Sequence, residues 1–452
     1  MPAKAHQTAA DVRDDLNRIF DLQRAHQWNM KATTAAERKA RLQKLKEVVE
    51  AHADEIVAAV RADTRKPEPE VKMTEVLNVL GNIDRNIANL EEWMKPTEVP
   101  TTLNPADNAH IVHEARGVCL ILGPWNFPLG LVMGPIAAAI AAGNCCMVKL
   151  SDLTPHTAEI AAKIISEAFP EAECAVLEGR VEVATALLAK PFNHIFFTGS
   201  TRVGKLVMAA AAQHLATVTL ELGGKSPVVV DRSADLKKVG TDLASAKQFN
   251  GGQACISPDY VLINEAQQAE LIEAFQSTAN ERLTREDGSF NKDGIAQIVN
   301  PQNFARIKAL FDDAIAKGAT VAVGGMLDEA DRTIQPTLLT GVTPDMQILQ
   351  EEIFGPVIPV MSCDSVDDAV SYIESRDKPL ALYIYSEDQG TIEKVLQRTS
   401  SGGVTINGVF SHYLENNLPF GGVNQSGMGS YHGYFGFKAF SHERAVYRHT
   451  GQ

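Results

Sequence analysis

"LILGPWNFPLGLVMGPIAAAIAAGNCCMVKL", residues Leu120 to Leu150, is almost devoid of charge, and its reading decides the fold. A membrane helix needs about 20 unbroken apolar residues. Here Pro124, Asn126, Pro128 and Pro135 interrupt the run. A buried strand, a turn, a helix and a second strand fit it better. The same rhythm extends outward. "GVCLIL" leads into helix-like "LVMGPIAAAIAAG", then strand "CCMVKL" and helix "TAEIAAKIISEAF". Strand "CAVLEG" precedes helix "EVATALLAK", strand "HIFFTG" precedes helix "RVGKLVMAAAAQHL", and strand "TVTLEL" closes the run near Leu222. Strands that read as buried on both faces, alternating with helices, predict a doubly wound parallel sheet.

After Gly224 the alternation resumes with "SPVVVD" and continues to about Asn407, which predicts a second α/β unit. Residues 1–96 read as helical, with Leu42, Leu45, Val48 and Val49 at helix spacing. Between them, "KPTEVPTTLNPADNAHIVHEARG" is polar, proline-rich and extended, a linker or a protruding hairpin. The tail "LPFGGVNQSGMGSYHGYFGFKAFSHERAV" is rich in glycine and aromatics, too short for a domain and suited to packing across an interface.

Composition narrows the function. The chain has 452 residues, and 42 Lys+Arg against 56 Asp+Glu leave a net charge of −14. Nucleic acid needs a basic face, so such a partner is not expected. The polar start "MPAKAHQTAADVRDDLNRIF" has no apolar core of a secretory signal, and neither end suggests a membrane anchor. The six cysteines form no CxxC pair and have no histidine cluster beside them, so no metal site is expected. They suit a reduced, cytoplasmic protein.

Several segments could carry chemistry. "GGQACISP" sets Cys255 behind two glycines and a glutamine, which favours an accessible thiol, although most free cysteines are small buried hydrophobes. "TLELGGKSP" ends a strand with Glu221, a candidate general base or a solvated charge. "GPWNFP" holds Asn126 between prolines, rigid enough for an oxyanion donor, or simply a turn residue. "FFTGSTRVGKLV" places Gly199 and Gly204 between strand and helix, where a helix N-terminus can meet a phosphate; an ordinary turn is the alternative. "VKLSD" puts Lys149, Ser151 and Asp152 at a strand's carboxyl end, where ribose hydroxyls could bind. "QEEIFGPV" offers Glu351, Glu352 and Phe354 before a strand.

Together, "FNGGQACISP", "LELGGKSP", "GPWNFP", "FTGSTRVGK" and "EEIFGPV" resemble the signature segments of the aldehyde dehydrogenases, and the likeness covers nearly the whole chain. The finer resemblance is to the class 3 branch, through "HIFFTGST", "VTLELGGKSP", "KPLALYIYS" (Lys378–Ser386) and "LPFGGVNQSGMGSYHG" (Leu418–Gly433). It implies an NAD(P)-dependent enzyme that oxidises an apolar aldehyde, aromatic or medium- to long-chain aliphatic, to its acid. Cys255 matches the nucleophile, Glu221 the general base and Asn126 the oxyanion donor. Lys149, Ser151 and Asp152 match the adenine-side ribose site, and Glu352 and Phe354 the nicotinamide ribose site. Trp125, Gly199, Ser200, Gly204 and Leu222 would line the dinucleotide path, and Asn407 would support the site.

The resemblance further implies a Rossmann-like cofactor domain (1–96 and 117–222), a catalytic domain (223–408), and an oligomerisation arm with the tail (97–116 and 409–452), in a homodimer. One departure bears on the cofactor. The family usually has "KPSE" where this chain has Lys149, Leu150, Ser151 and Asp152. The shorter acid keeps the charge but leaves room for a 2′-phosphate, so NAD, NADP or both are expected. A relative that passes the acyl group to CoA or phosphate is the competing enzymatic reading, and a silent scaffold the non-enzymatic one.

Overall fold

The computed structural model describes residues 9–450. The stretch that decides the fold forms strand Val118–Leu122, helix Gly130–Ala142 and strand Cys145–Lys149, with every residue of both strands buried. No helix among the described residues is long and apolar enough to cross a membrane.

The first sheet has the order Gly427–Met428, Thr217–Glu221, His194–Thr198, Val118–Leu122, Cys145–Lys149, Cys174–Leu177. All neighbours are parallel except the first pair. The chain enters at Val118–Leu122, fills one side, then crosses to His194–Thr198 on the other. That reversal opens a crevice at the carboxyl ends of the strands, where ligands of such sheets sit. The second sheet runs Thr320–Val323, Thr337–Thr340, Val357–Ser362, Tyr260–Ile263, Pro227–Val230, Ala381–Tyr385, Gly403–Ile406, with only Thr320–Val323 antiparallel. The architecture is thus the expected α/β pair of sheets, each with one antiparallel edge strand that the alternation did not predict.

The N-terminal region is helical, as its spacing predicts. Leu42, Leu45, Val48 and Val49 are buried on helix Ala35–Ala51, which begins with a capping box between Thr34 and Glu37. A six-residue π turn, Lys72–Leu77, interrupts the helical run before Asn78–Trp93. The proline-rich stretch is a hairpin. Thr97–Val99 pairs with Asn108–Ala115, and Ser441–Arg448 lies along the second strand. The rest of the tail returns to the first sheet: Gly427–Met428 pair with Glu221 and Leu220, and Phe420, Tyr431, Phe437 and Phe440 are buried in its core.

Candidate active site

Helix Leu236–Gln248 ends in a tight turn, Phe249–Gly252, that leads to Cys255. Asn250, Gly251 and Gly252 all have positive φ. A Cβ at Gly252 would lie 2.2 Å from the Gly355 carbonyl oxygen, so no side chain fits there. These glycines do not open space around the thiol. They allow a left-handed turn packed tightly on the loop before Val357. The Gln253 side chain fastens it, donating to the carbonyls of Asn250 (2.9 Å) and Gln297 (3.0 Å) and accepting from Val299 N–H (3.1 Å). Beyond the cysteine, the Tyr383 hydroxyl donates to the Ile256 carbonyl at 2.6 Å.

Of the six free cysteines, four are buried, and Cys255 and Cys363 are half-buried. Dense surroundings push the Cys255 thiol up to about 12: desolvation leads, and the nearby Glu352 and Glu221 carboxylates add to it. The backbone N–H groups of Cys255 and Ile256 act the other way, favouring negative charge at this spot. The resting sulfur is therefore a neutral thiol at pH 7.

Glu221 ends strand Thr217–Glu221 and is buried. Both its carboxyl oxygens lack a hydrogen-bond partner, and burial pushes its pKa well above the ordinary carboxylate value. A buried polar group of this kind costs stability unless something else fills its need. A carboxylate held this way, close to a thiol, is a stronger base than an exposed one, which suits it to take a proton from a neighbouring water.

Asn126 is buried, and its side-chain amide donates to the Gln253 carbonyl at 3.1 Å, two residues before Cys255. An amide nitrogen carries two hydrogens, so one remains for another acceptor. Asn126 is also held through its backbone. Its own carbonyl receives hydrogen bonds from Asn250 Nδ2 (2.9 Å) and Lys66 Nζ (3.2 Å).

Glu352 is placed by three segments. Gly223 leaves it room, and Gly224 N–H donates to its carboxylate. Lys225 bonds Asp259 and the carbonyls of Ile348 (2.8 Å) and Glu351 (2.9 Å). Asp259 also accepts from Ile353 N–H at 2.9 Å, and Arg306 holds the carbonyls of Glu352 and Ile353 at 2.8 and 2.7 Å. Phe354, beside it, meets Trp125 edge-on at 5.3 Å.

The remaining candidates lie at the carboxyl ends of the first sheet. Lys149 is buried with its ammonium on the Leu150 carbonyl at 2.9 Å; desolvation lowers its pKa, with Asp152 and Glu182 opposing. Asp152 is exposed beside it, without a hydrogen bond to it. The hydroxyls of Ser151 and Ser200 serve their own turns, accepting from Leu153 N–H (3.2 Å) and Val203 N–H (3.4 Å). Gly204 packs its helix against Leu222, where a Cβ would come within 2.7 Å. The missing side chain lets that helix approach the end of strand Thr217–Glu221 closely. Asn407 bonds both backbone groups of Ser386, at 2.9 and 3.0 Å, and so ties two neighbouring strand ends together.

These residues fit a dinucleotide. A buried lysine has only a carbonyl to satisfy it, and a carboxylate sits over a glycine at the other end of the crevice. The start of helix Thr201–Ala212 lies between them along the same sheet edge. No cluster of three or more metal-ligating side chains exists among the described residues.

Residues 3–446 match the model of the aldehyde dehydrogenase family. The chain belongs to that family. The protein AldX of Bacillus subtilis is 51% identical over 436 residues, 96% of this chain and 98% of the relative. Mouse aldehyde dehydrogenase family 3 member A2 is 42% identical over 404 residues, 89% of this chain and 82% of the relative. The substrate-bound structure of Staphylococcus aureus AldH superposes with a TM-score of 0.92 at 36% identity, covering 97% of this chain and 94% of the other. This is an NAD(P)-dependent aldehyde dehydrogenase of the class 3 type.

The same segments carry further residues that the motifs did not single out. Phe127 and Phe249 stack at 5.7 Å, and Phe249 meets Phe410 at 5.6 Å. All three are half-buried. Their only sequence signal is that two of them flank the segments of Asn126 and Cys255. Lys66, Glu75 and Asn250 are fully or almost fully buried polar groups in contact with the same turns.

Proposed function

We propose that this dehydrogenase oxidises an apolar aldehyde, aromatic or medium- to long-chain aliphatic, to the free carboxylic acid. Cys255 gives up its proton to a water molecule, and its sulfur attacks the carbonyl carbon. A C–S bond forms and the carbonyl π pair moves to oxygen, giving a thiohemiacetal. The second N–H of Asn126 and the Cys255 N–H hold that oxyanion, a contribution of about 3 kcal/mol per donor in comparable sites. The nicotinamide cofactor, when bound, supplies the acceptor for the hydride that leaves the same carbon. Lys149, with Ser151 and Asp152, binds the adenosine side, and Glu352 the nicotinamide ribose. Glu221 then takes a proton from water as its oxygen adds to the thioester carbon. The C–S bond breaks, the sulfur leaves with its electron pair, and the acid departs.

The observation that carries this reading is Glu221. A buried carboxyl with two unpartnered oxygens, near enough to raise the Cys255 pKa, is costly to keep and suited to activating water. It favours hydrolysis over transfer to CoA or phosphate. The Phe127, Phe249 and Phe410 rings support an apolar substrate. Asp152, exposed and one methylene shorter than glutamate, supports use of both NAD and NADP. The all-thiol cysteines support a cytoplasmic setting, and the sheet of 97–115 and 441–448 supports a homodimer through that arm.

The test is product identification. The enzyme is given aldehydes graded in size and polarity, NAD or NADP, and CoA or phosphate. Free acid in every arm, with turnover favouring apolar aldehydes, is expected. An acyl-CoA or acyl-phosphate product, or a preference for small polar aldehydes, contradicts the reading.

A further inference from the structure

Lys66 is among the largest fully buried side chains of the protein, far from any surface where a lysine is ordinarily found. Its ammonium donates to Glu75 Oε1 and to the Asn126 carbonyl, both at 3.2 Å, and lies 4.2 Å from the centre of the Phe127 ring. The second oxygen of Glu75 accepts from the N–H groups of Leu129 (3.1 Å) and Gly130 (2.7 Å), where helix Gly130–Ala142 begins. One buried ion pair therefore grips the turn 126–130 at both ends. Glu75 reaches it from the π turn Lys72–Leu77, a backbone irregularity common at functional sites.

Asn250 completes the bracket from the cysteine side. Its amide donates to the carbonyls of Asn126 (2.9 Å) and Gln253 (3.0 Å). Its own N–H donates to Glu70 Oε1 at 2.8 Å. The Gln253 carbonyl also receives the Asn126 side-chain amide. The peptide groups of Asn126 and Gln253 are thus fixed relative to each other by shared partners. Burying an ion pair is expensive, and an apolar pair of equal volume is often as stable. The geometry that this pair imposes is what the fold gains from it.

We propose that Lys66, with Glu75 and Asn250, is a positioning residue for the Asn126 amide, setting the direction in which its free N–H meets the oxyanion. The inference rests on the reading of Asn126 as the oxyanion donor. Lys66 touches no reacting atom. It acts through the Asn126 carbonyl.

A double-mutant cycle tests it. The single-turnover rate of NAD(P)H formation at saturating aldehyde is measured for wild type, Lys66→Met, Asn126→Ala and the double variant. Lys66→Met is expected to slow this step about tenfold when Asn126 is present and by no more than about twofold when it is absent. The KM for the cofactor should stay unchanged. Equal slowing in both backgrounds, or none in either, overturns the proposal. Asn250→Gly gives a second cycle should Lys66→Met fail to fold. Glycine adopts the left-handed φ of 49° at that position, so only the amide is lost. The same dependence on Asn126 is expected and the same additivity would overturn it. Asn126→Ala alone at the wild-type rate would instead sink the oxyanion reading itself.

Discussion

Gly223 and Glu352 compete for one space: a Cβ at residue 223 would lie 2.4 Å from Oε2 of the Glu352 carboxylate. The glycine two residues after the buried acid Glu221 is therefore a seat for a second acid. Gly223→Ala should push Glu352 aside and leave Glu221 on its strand. Steady-state kinetics are expected to show the cofactor KM raised about tenfold, the loss of one hydrogen bond. The aldehyde KM should change little. An unchanged cofactor KM would separate Glu352 from cofactor binding.

The same carboxylate bears on the thiol. Desolvation pushes Glu352 up to about 8, with Asp259 adding and Gly224 N–H, Lys225 and Arg306 opposing. Below that pH it is neutral and does not repel a thiolate. Above it, its charge disfavours ionisation of Cys255. Glu352→Gln should then speed iodoacetamide alkylation of the Cys255 peptide above about pH 8, by roughly threefold to tenfold at pH 9, and leave it unchanged at pH 6. Mass spectrometry distinguishes this peptide from that of the other half-buried cysteine, Cys363. Superimposable alkylation profiles would show that the two groups are not coupled.

The aromatic wall should set the substrate. Phe249 touches both Phe127 and Phe410, so shortening it loosens the whole set. Phe249→Leu is expected to lower kcat/KM about fivefold to tenfold for an aromatic aldehyde and by no more than about twofold for acetaldehyde, as suits an apolar contact worth about 1 kcal/mol. Equal losses on both substrates would mean that the change acts on Cys255 instead.

What could be read in the sequence was local. Strands Val118–Leu122 and Cys145–Lys149 are almost wholly apolar because both faces are covered, and that run is visible residue by residue. The family segments each lie within a dozen residues, so Cys255, Glu221 and Asn126 could be picked out with their neighbours. What escaped depends on contacts between distant parts of the chain. Lys66 and Glu75 look like ordinary polar residues of a helical region until the fold carries Asn126, 60 residues on, against them. The pairing of Gly427–Met428 with Glu221 and Leu220 is two residues long, too short for any periodicity. The residues of 97–115 alone left linker and hairpin open, and only the family resemblance joined them to the tail, because the partner strand, Ser441–Arg448, lies at the other end of the chain. Gly251 and Gly252 suggested access for the thiol; their positive φ and the Gly355 carbonyl against Gly252 show a steric reason instead.

The account stands most directly on the fate of the acyl group on Cys255. Glu221→Gln keeps the shape of the buried side chain and removes the base. A single turnover with this variant, NAD(P) and an apolar aldehyde should release about one NAD(P)H per active site and then stop, down about a hundredfold or more in steady state. The intact protein should carry the acyl mass on the peptide containing Cys255. Wild-type steady turnover, or a burst with no acyl group on Cys255, would contradict it.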